Sequence, residues 1–210
     1  HGNFANYWLH NGFIQVNGDK MSKSLGNFFL LREILGKFPG NVVRLFILGT
    51  HYRKPINFSM DNIEDSRKTL KNIVSAMNGF SEIIEKFSGE VSSKGENSDN
   101  TVNNGENKDI NEFREKVDEL DKKFVDAMDE DMNTPQALAV IFDQLKETKK
   151  FSVNVSNKEE TETLQYSYNS LKKKIEDVLG IAIIMEEESG NLKNNDKLTG
   201  NLIELLIKLR

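Results

Sequence analysis

The chain has 210 residues, 37% of them hydrophobic and 29% charged, with no cysteine and a formal net charge of −5. That length suits one large or two small domains, and the absence of cysteine excludes disulfides, thiolate nucleophiles and every zinc site built on Cys. No apolar run approaches the ~18 residues a membrane span needs and residues 1–10 lack the pattern of a secretory signal, so a cytoplasmic protein without a membrane partner is expected.

The charge is unevenly spread. Residues 1–58 hold Lys20, Lys23, Arg32, Lys37, Arg44, Arg53 and Lys54 against Asp19 and Glu33, a net +5 that leaves −10 on the remainder. A polyanion, whether nucleotide phosphate or RNA, is expected to meet the front of the chain first.

In chain order, the apolar residues 13–16, broken by Gln15, read as a short strand running into Asn17-Gly18. That dipeptide suits a tight hairpin because both turn positions tolerate positive φ. Asn27 is expected to cap a short helix carrying Leu30, Leu31, Ile34 and Leu35, closed by Gly36 and Pro39-Gly40. Asn41 is expected to cap a second helix in which residues 42–48 leave only Arg44 polar, so burial on most of its sides is predicted. Ser59 reads as the N-cap of a long amphipathic helix with Ile63, Leu70, Ile73, Val74, Met77, Ile84 and Phe87 on one face.

Residues 88–109 offer only Val91 and Val102 as large apolar groups, too little burial to offset ordering, and a disordered loop is predicted. Helical periodicity resumes at Phe113, Val117, Leu120, Phe124 and Met128 and pauses at 131–133. Thr134-Pro135 restarts it as cap and first helical residue, with Leu138, Ile141, Phe142 and Leu145 as the apolar face. A further helix through Leu164, Tyr168, Leu171, Ile175 and Val178 is closed by Gly180. Residues 186–201 read as a loop and 202–210 as a helix cut by the chain end; with the buried-looking start at His1, this predicts a piece of a longer polypeptide.

One segment carries specific chemistry: Lys20-Met21-Ser22-Lys23-Ser24, between Gly18 and Gly26, after a strand and before a helix. Two ammonium groups three residues apart on a glycine-flanked loop can close over a triphosphate, while hydroxyls and loop amides add donors. The Walker spacing is absent. His1, His10 and His51, the only imidazoles, lack the i, i+4 spacing of a helical ligand pair.

These residues, with Asn6-Tyr7-Trp8-Leu9-His10-Asn11-Gly12 before them and Leu25-Gly26-Asn27-Phe28-Phe29 after, resemble the cysteine–tRNA ligases. Those are class I aminoacyl-tRNA synthetases, whose second ATP motif is KMSKS. His51-Tyr52-Arg53 with Pro55 and Asn57, and residues 127–135 leading into Ala137-Leu138, extend the resemblance over nearly the whole chain, with 88–109 and about 150–160 the poorest parts.

The resemblance implies a mixed fold. Residues 1–58 would be the C-terminal end of a Rossmann-like α/β catalytic domain, 59–185 an all-α bundle of tRNA-binding type, and 186–210 a linker and the start of a helix. It implies activation of cysteine by ATP, with Mg, to cysteinyl-adenylate and transfer to tRNA(Cys), the partners being tRNA(Cys), ATP and cysteine and the expected form a monomer. Lys23 is then the ATP-contacting residue, Lys20 adds to the phosphate field, Ser22 and Ser24 hold the loop's shape, and Gly18 and Gly26 are its hinges. The family's HIGH motif and its zinc ligands, two Cys, one His and one Glu, are missing and are expected upstream of His1. No metal site is therefore expected here, and the 210 residues alone are expected to be inactive.

Plainer readings stand beside these. Lys20 and Lys23 on an ordinary solvated loop is one; Tyr7, Trp8 and His10 packing a catalytic-domain wall, with His10 in substrate proximity as the sharper alternative, is another. His51, Tyr52 and Arg53 read as near substrate or the tRNA acceptor end, as orienting the loop, or as a structural hinge. Asp129, Glu130 and Asp131 read as favourable charge before a helix N-terminus, and Arg67, Lys68 and Lys71 as a solvated face. Two other functions fit: a relative that joins cysteine to an amino-sugar inositol and shares KMSKS, and a non-catalytic helical module binding RNA or a protein. The long helices and residues 127–135 favour the tRNA enzyme over the first, and an intact phosphate loop argues against the second.

Overall fold

A computed structural model describes residues 4–91 and 106–184. The left-handed backbone of Asn17 (φ 52°) and Gly18 (φ 88°) reverses the chain between β1 (Ile14–Val16) and β2 (Asp19–Lys20), as the dipeptide predicts. Helices α1 (Leu31–Leu35) and α2 (Gly40–Leu48) then lead to β3 (Ile56–Phe58), which lies parallel to β1 with Ile14, Gln15 and Val16 opposite Ile56, Asn57 and Phe58. The three-stranded sheet has the order β2-β1-β3. The buried Phe58 ring meets Phe29 at 5.4 Å and Phe46 at 6.2 Å, joining β3 to the end of the lysine-bearing loop and to α2.

The rest is helical: α3 (Met60–Val91), α4 (Glu106–Asp129), α5 (Thr134–Ser152) and α6 (Lys158–Lys172), which widens into a π-helical segment, Lys173–Val178. Ser59 caps α3 as expected, its Oγ accepting from the Asn62 amide at 3.1 Å. Helix continues to Val91 and restarts at Glu106, so both edges of the predicted 88–109 loop move inward. Extending a formed helix adds one hydrogen bond per residue fixed, a far smaller cost than nucleation. Residues 92–105 lie outside the described residues, as do the loop and helix predicted over 186–210.

Three predicted caps are corrected. Asn27 does not cap α1; Leu30 precedes that helix, and the Glu33 carboxylate accepts from the Leu30 amide at 3.2 Å. Asn41 does not cap α2, which starts after Pro39; its Oδ1 accepts from the Ala182 amide at 3.3 Å, drawing the chain beyond the bundle back onto α2. Asn133 rather than Thr134 caps α5, because its Oδ1 reaches the Gln136 amide at 3.4 Å, leaving Thr134 and Pro135 in the first turn, where amides have no helical partner. In each case a carboxamide is claimed by the donor its backbone position brings nearest.

Burial differs from the pattern on three elements. Helix α2 packs Val42, Val43 and Leu45 inward, but Ile47 is 49% exposed. Phe142 and Val178 are likewise largely exposed, while the polar Gln144 and Thr148 of α5 are fully buried against α6. There Gln144 Nε2 donates to Ser167 Oγ at 3.3 Å and Ser170 Oγ at 3.1 Å, and the Thr148 and Ser167 hydroxyls lie 2.7 Å apart. Lys174, 5% exposed, donates to Asp121, Gln144 and Ser170, tying α4, α5 and the π-helical turn together. Burial draws its pKa down, against the opposing pull of Asp121. No buried side-chain nitrogen or oxygen lacks a partner among the described residues, the condition under which a buried polar network is tolerated.

Burial makes the helices unequal in their sensitivity. Leu171→Ala, at a fully buried position, is expected to lower unfolding free energy by about 2–5 kcal/mol. Phe142→Ala, where the side chain is 40% exposed, is expected to cost roughly 1 kcal/mol or less. Urea midpoints of the two variants check the contrast.

Candidate functional site

The lysine-bearing loop is anchored at both ends. The Gly18 amide donates to Asn57 Oδ1 at 3.0 Å, and the Met21 amide to the Ile14 carbonyl at 2.9 Å, with the Met21 side chain packed on the core. Beyond Met21 the loop is braced by the residue expected to cap α1. Asn27 Oδ1 accepts from the Ser22 amide at 2.8 Å, while its Nδ2 donates to the Lys20 carbonyl at 3.3 Å. Ser22 Oγ accepts from the Leu25 amide at 3.3 Å and lies 3.2 Å from Ser24 Oγ. The Gly26 amide closes a turn onto the Lys23 carbonyl at 3.2 Å, with Gly26 at φ +68°. A Cβ at Gly18 or Gly26 would meet nothing within 4 Å, so these positions demand glycine through backbone conformation alone.

Lys20, Ser22, Lys23 and Ser24 are thus brought into one turn, with both lysines exposed. The Lys20 ammonium sits 4.1 Å from the Phe13 ring centroid and that of Lys23 5.7 Å from Phe28, within cation–π range. Each cation is therefore held over a ring while still in reach of an incoming anion. His10 does not join them; it is exposed on the segment before β1, as are Tyr7 (87%) and Trp8 (66%). The expected wall packing of those rings is not found among the described residues.

His51, Tyr52 and Arg53 meet a residue read as helix-end charge. The Asp131 carboxylate accepts from the Tyr52 hydroxyl at 2.6 Å and is gripped side-on by Arg53, Nη2 at 3.0 Å and Nε at 2.7 Å. His51 Nε2 lies 3.8 Å away, its ring stacked on that of Tyr52 at 5.0 Å. Asp131 is therefore turned toward the 51–53 segment, and Asn133 serves α5 instead. The Tyr52 hydrogen bond, then that of Arg53, holds the Asp131 carboxyl below its ordinary range, while Arg53 is raised first by the bond from its Nε to the Tyr52 hydroxyl at 2.9 Å and then by Asp131. Lys68 pairs with Asp65 at 3.0 Å and Arg67 with Glu64 at 3.7 Å, both pairs on an exposed helix face.

Sequence reasoning missed four positions. Gly12 lies so close to β3's lead-in that a Cβ would stand 2.2 Å from the Lys54 carbonyl oxygen. Asn57 and Asp131 act across 39 and 79 residues, where no local pattern points. Asn27 had a usable signal: an Asn directly after a loop glycine tends to bond neighbouring backbone.

The chain has no cysteine, and no cluster of three or more His, Asp or Glu able to hold a metal occurs among the described residues.

Because the Asp131 carboxyl is held below its ordinary value, its contribution to stability is present above the unfolded pKa near 4 and is lost as pH falls through the lower, folded value. Asp131→Asn is expected to remove that component, so that melting temperatures of variant and wild type begin to draw together as pH falls below about 4 and meet only beneath the folded value. Thermal melts across the acid range check this.

Two family models match. The one described as tRNA synthetases class I (C) catalytic domain covers residues 1–68, and the DALR domain covers 123–183. The chain is 38% identical to the cysteine–tRNA ligase of Fusobacterium nucleatum subsp. nucleatum over 211 residues, all of this chain and 40% of that protein. It is 38% identical to that of Caldicellulosiruptor saccharolyticus over 205 residues, 98% of this chain and 38% of the relative. The Carboxydothermus hydrogenoformans enzyme matches at 41% over 143 residues, 68% of this chain and 27% of the relative. The chain thus spans about 40% of the length of the first two relatives. With the glycine-flanked lysine loop and the helices behind it, these matches show that the chain belongs to the cysteine–tRNA ligase family.

Proposed function

We propose that this chain serves a cysteine–tRNA ligase that activates cysteine with ATP and transfers it to tRNA(Cys). Residues 1–58 are the closing end of its Rossmann-like nucleotide-binding domain and supply the phosphate loop. The helices described within 59–185 form the part that lies along tRNA. The observation that carries the reading is the loop itself: two lysines on a turn bounded by Gly18 and Gly26 and strapped by Asn27, in a chain of this family.

In the first step a cysteine carboxylate oxygen attacks the α-phosphorus of ATP. The bond to the bridging oxygen breaks, and pyrophosphate leaves with the electron pair. Charge grows on the leaving group, and the chemistry asks the protein for position and positive charge more than for covalent help. Lys23 binds the departing phosphates, Lys20 adds to the field, and the Ser22–Ser24 contact with the Asn27 strap keeps both on one turn. In the second step a hydroxyl of the terminal ribose of tRNA attacks the acyl carbonyl, and AMP leaves. Magnesium would accompany ATP and neutralise phosphate charge.

Among the described residues no helix is long and apolar enough to cross a membrane; a cytoplasmic location and a monomeric state belong to the same proposal.

Cysteine-dependent exchange of pyrophosphate into ATP, measured on the full-length protein, tests the reading. Lys23→Ala is expected to slow it by about 10² to 10³-fold, with methionine and valine inactive as substrates. Absent exchange, or exchange indifferent to the mutation, overturns the assignment.

A further inference from the structure

The contact made by Asp131 is placed oddly for a feature of local folding. It stands at the elbow between α4 and α5, where Asp131 (φ 55°) and Met132 (φ 52°) both adopt left-handed backbone. The elbow closes through its own main chain, the Met132 amide to the Met128 carbonyl and the Asn133 amide to the Ala127 carbonyl, both at 3.0 Å. Glycine or asparagine would meet the backbone's demand as well as aspartate. The carboxylate is accounted for only by what it grips, the Tyr52 hydroxyl and the Arg53 guanidinium, nearly 80 residues away.

From that grip a continuous set of contacts leads to the phosphate loop. The Tyr52 carbonyl accepts from the Gly12 amide at 2.7 Å, and the Lys54 carbonyl lies against Gly12 so closely that no side chain fits. Ile56 bonds Phe13 and starts β3 beside β1; Asn57 of β3 then accepts from the Gly18 amide, two residues before Lys20. Asp131 lies within the DALR match and the 51–57 segment within the catalytic-domain match, so the grip joins the two.

We propose that Asp131 is a positioning residue for the lysine-bearing loop, acting through the 51–54 turn and β3 to hold Lys20 and Lys23 where phosphate is bound. The proposal rests on the functional reading above for its kinetic consequence and on the contacts alone for its structural one. It makes the helical part of the chain a determinant of adenylation.

The test uses the full-length protein with Asp131→Asn and Tyr52→Phe, the latter keeping the ring stacked on His51 and removing one hydroxyl. Each is expected to lower the turnover of cysteine-dependent pyrophosphate exchange about tenfold, leave the cysteine KM unchanged, and speed amide hydrogen exchange over residues 20–26. Combined with Lys23→Ala, neither should add its own loss, because the group it positions is gone; a merely structural role would multiply through. Unchanged turnover, unchanged loop protection or full multiplicativity with Lys23→Ala overturns the proposal. If wild type shows no cysteine-dependent exchange, the functional reading fails on its own, and amide exchange of the loop still decides the clamp. If Asp131→Asn does not fold, Tyr52→Phe decides by the same readouts.

Discussion

The parallel pairing of β1 with β3 is the constraint on which the site depends. Three residues on each strand bring positions 14–16 and 56–58 together across the intervening helices. Parallel strands require such a crossover, so α1 and α2 are the connection that makes the pairing possible. Once Ile56 lies opposite Ile14, the hairpin places Lys20 next to β1, Asn57 can reach Gly18, and Ser59 stands ready to cap α3 immediately after the strand. A register slip by one residue would turn Phe58 away from Phe29 and Phe46, which is how a short sheet enforces its alignment.

Polar contacts in this molecule do two different jobs. The Lys174 network lies inside the bundle, where removing one partner would strand buried polar groups, and it sets how α4, α5 and the π-helical turn meet. The Asp131 grip lies in water, with Arg53 65% and Asp131 41% exposed. An exposed ion pair adds little to stability. What the guanidinium and the Tyr52 hydroxyl supply is geometry: two hydrogen bonds and an ion pair on one carboxylate, with the Arg53 Nε donating to the Tyr52 hydroxyl at 2.9 Å, restrict the turn far more than they stabilise the fold.

Much of this was legible in the chain, for identifiable physical reasons. Asn17-Gly18 needs positive φ and therefore announces its turn. The stripe from Ile63 to Ile84 follows helical period because one face of α3 is covered and the other wet. The caps were less legible, because an Asn side chain serves whichever donor is nearest in space, and Asn27 and Asn41 each found one outside their own helix. Burial on α5 misled for a related reason. Periodicity sees an apolar Phe142, whereas hydrogen bonds to Ser167 and Ser170 make Gln144 the residue that is buried. The candidate loop was readable because its chemistry is contiguous; the Asp131 contact was not, since its partners are distant in sequence.

The loop is restrained from within and from beneath. Its restraint is the Asn27 carboxamide, which holds the Ser22 amide and the Lys20 carbonyl and so fixes the turn's width without touching either ammonium. Gly18 and Gly26 bound it in left-handed backbone, Gly18 bonded to Asn57 and Gly26 to the Lys23 carbonyl, while the two ammonium groups lie over rings in contacts that an exposed lysine leaves at small cost. The spacing of Lys20 and Lys23 is thereby set by main-chain and carboxamide bonds and their charge is left to the solvent side. The turn stands on the 51–57 segment, held to β1 on one side and to the α4–α5 elbow on the other.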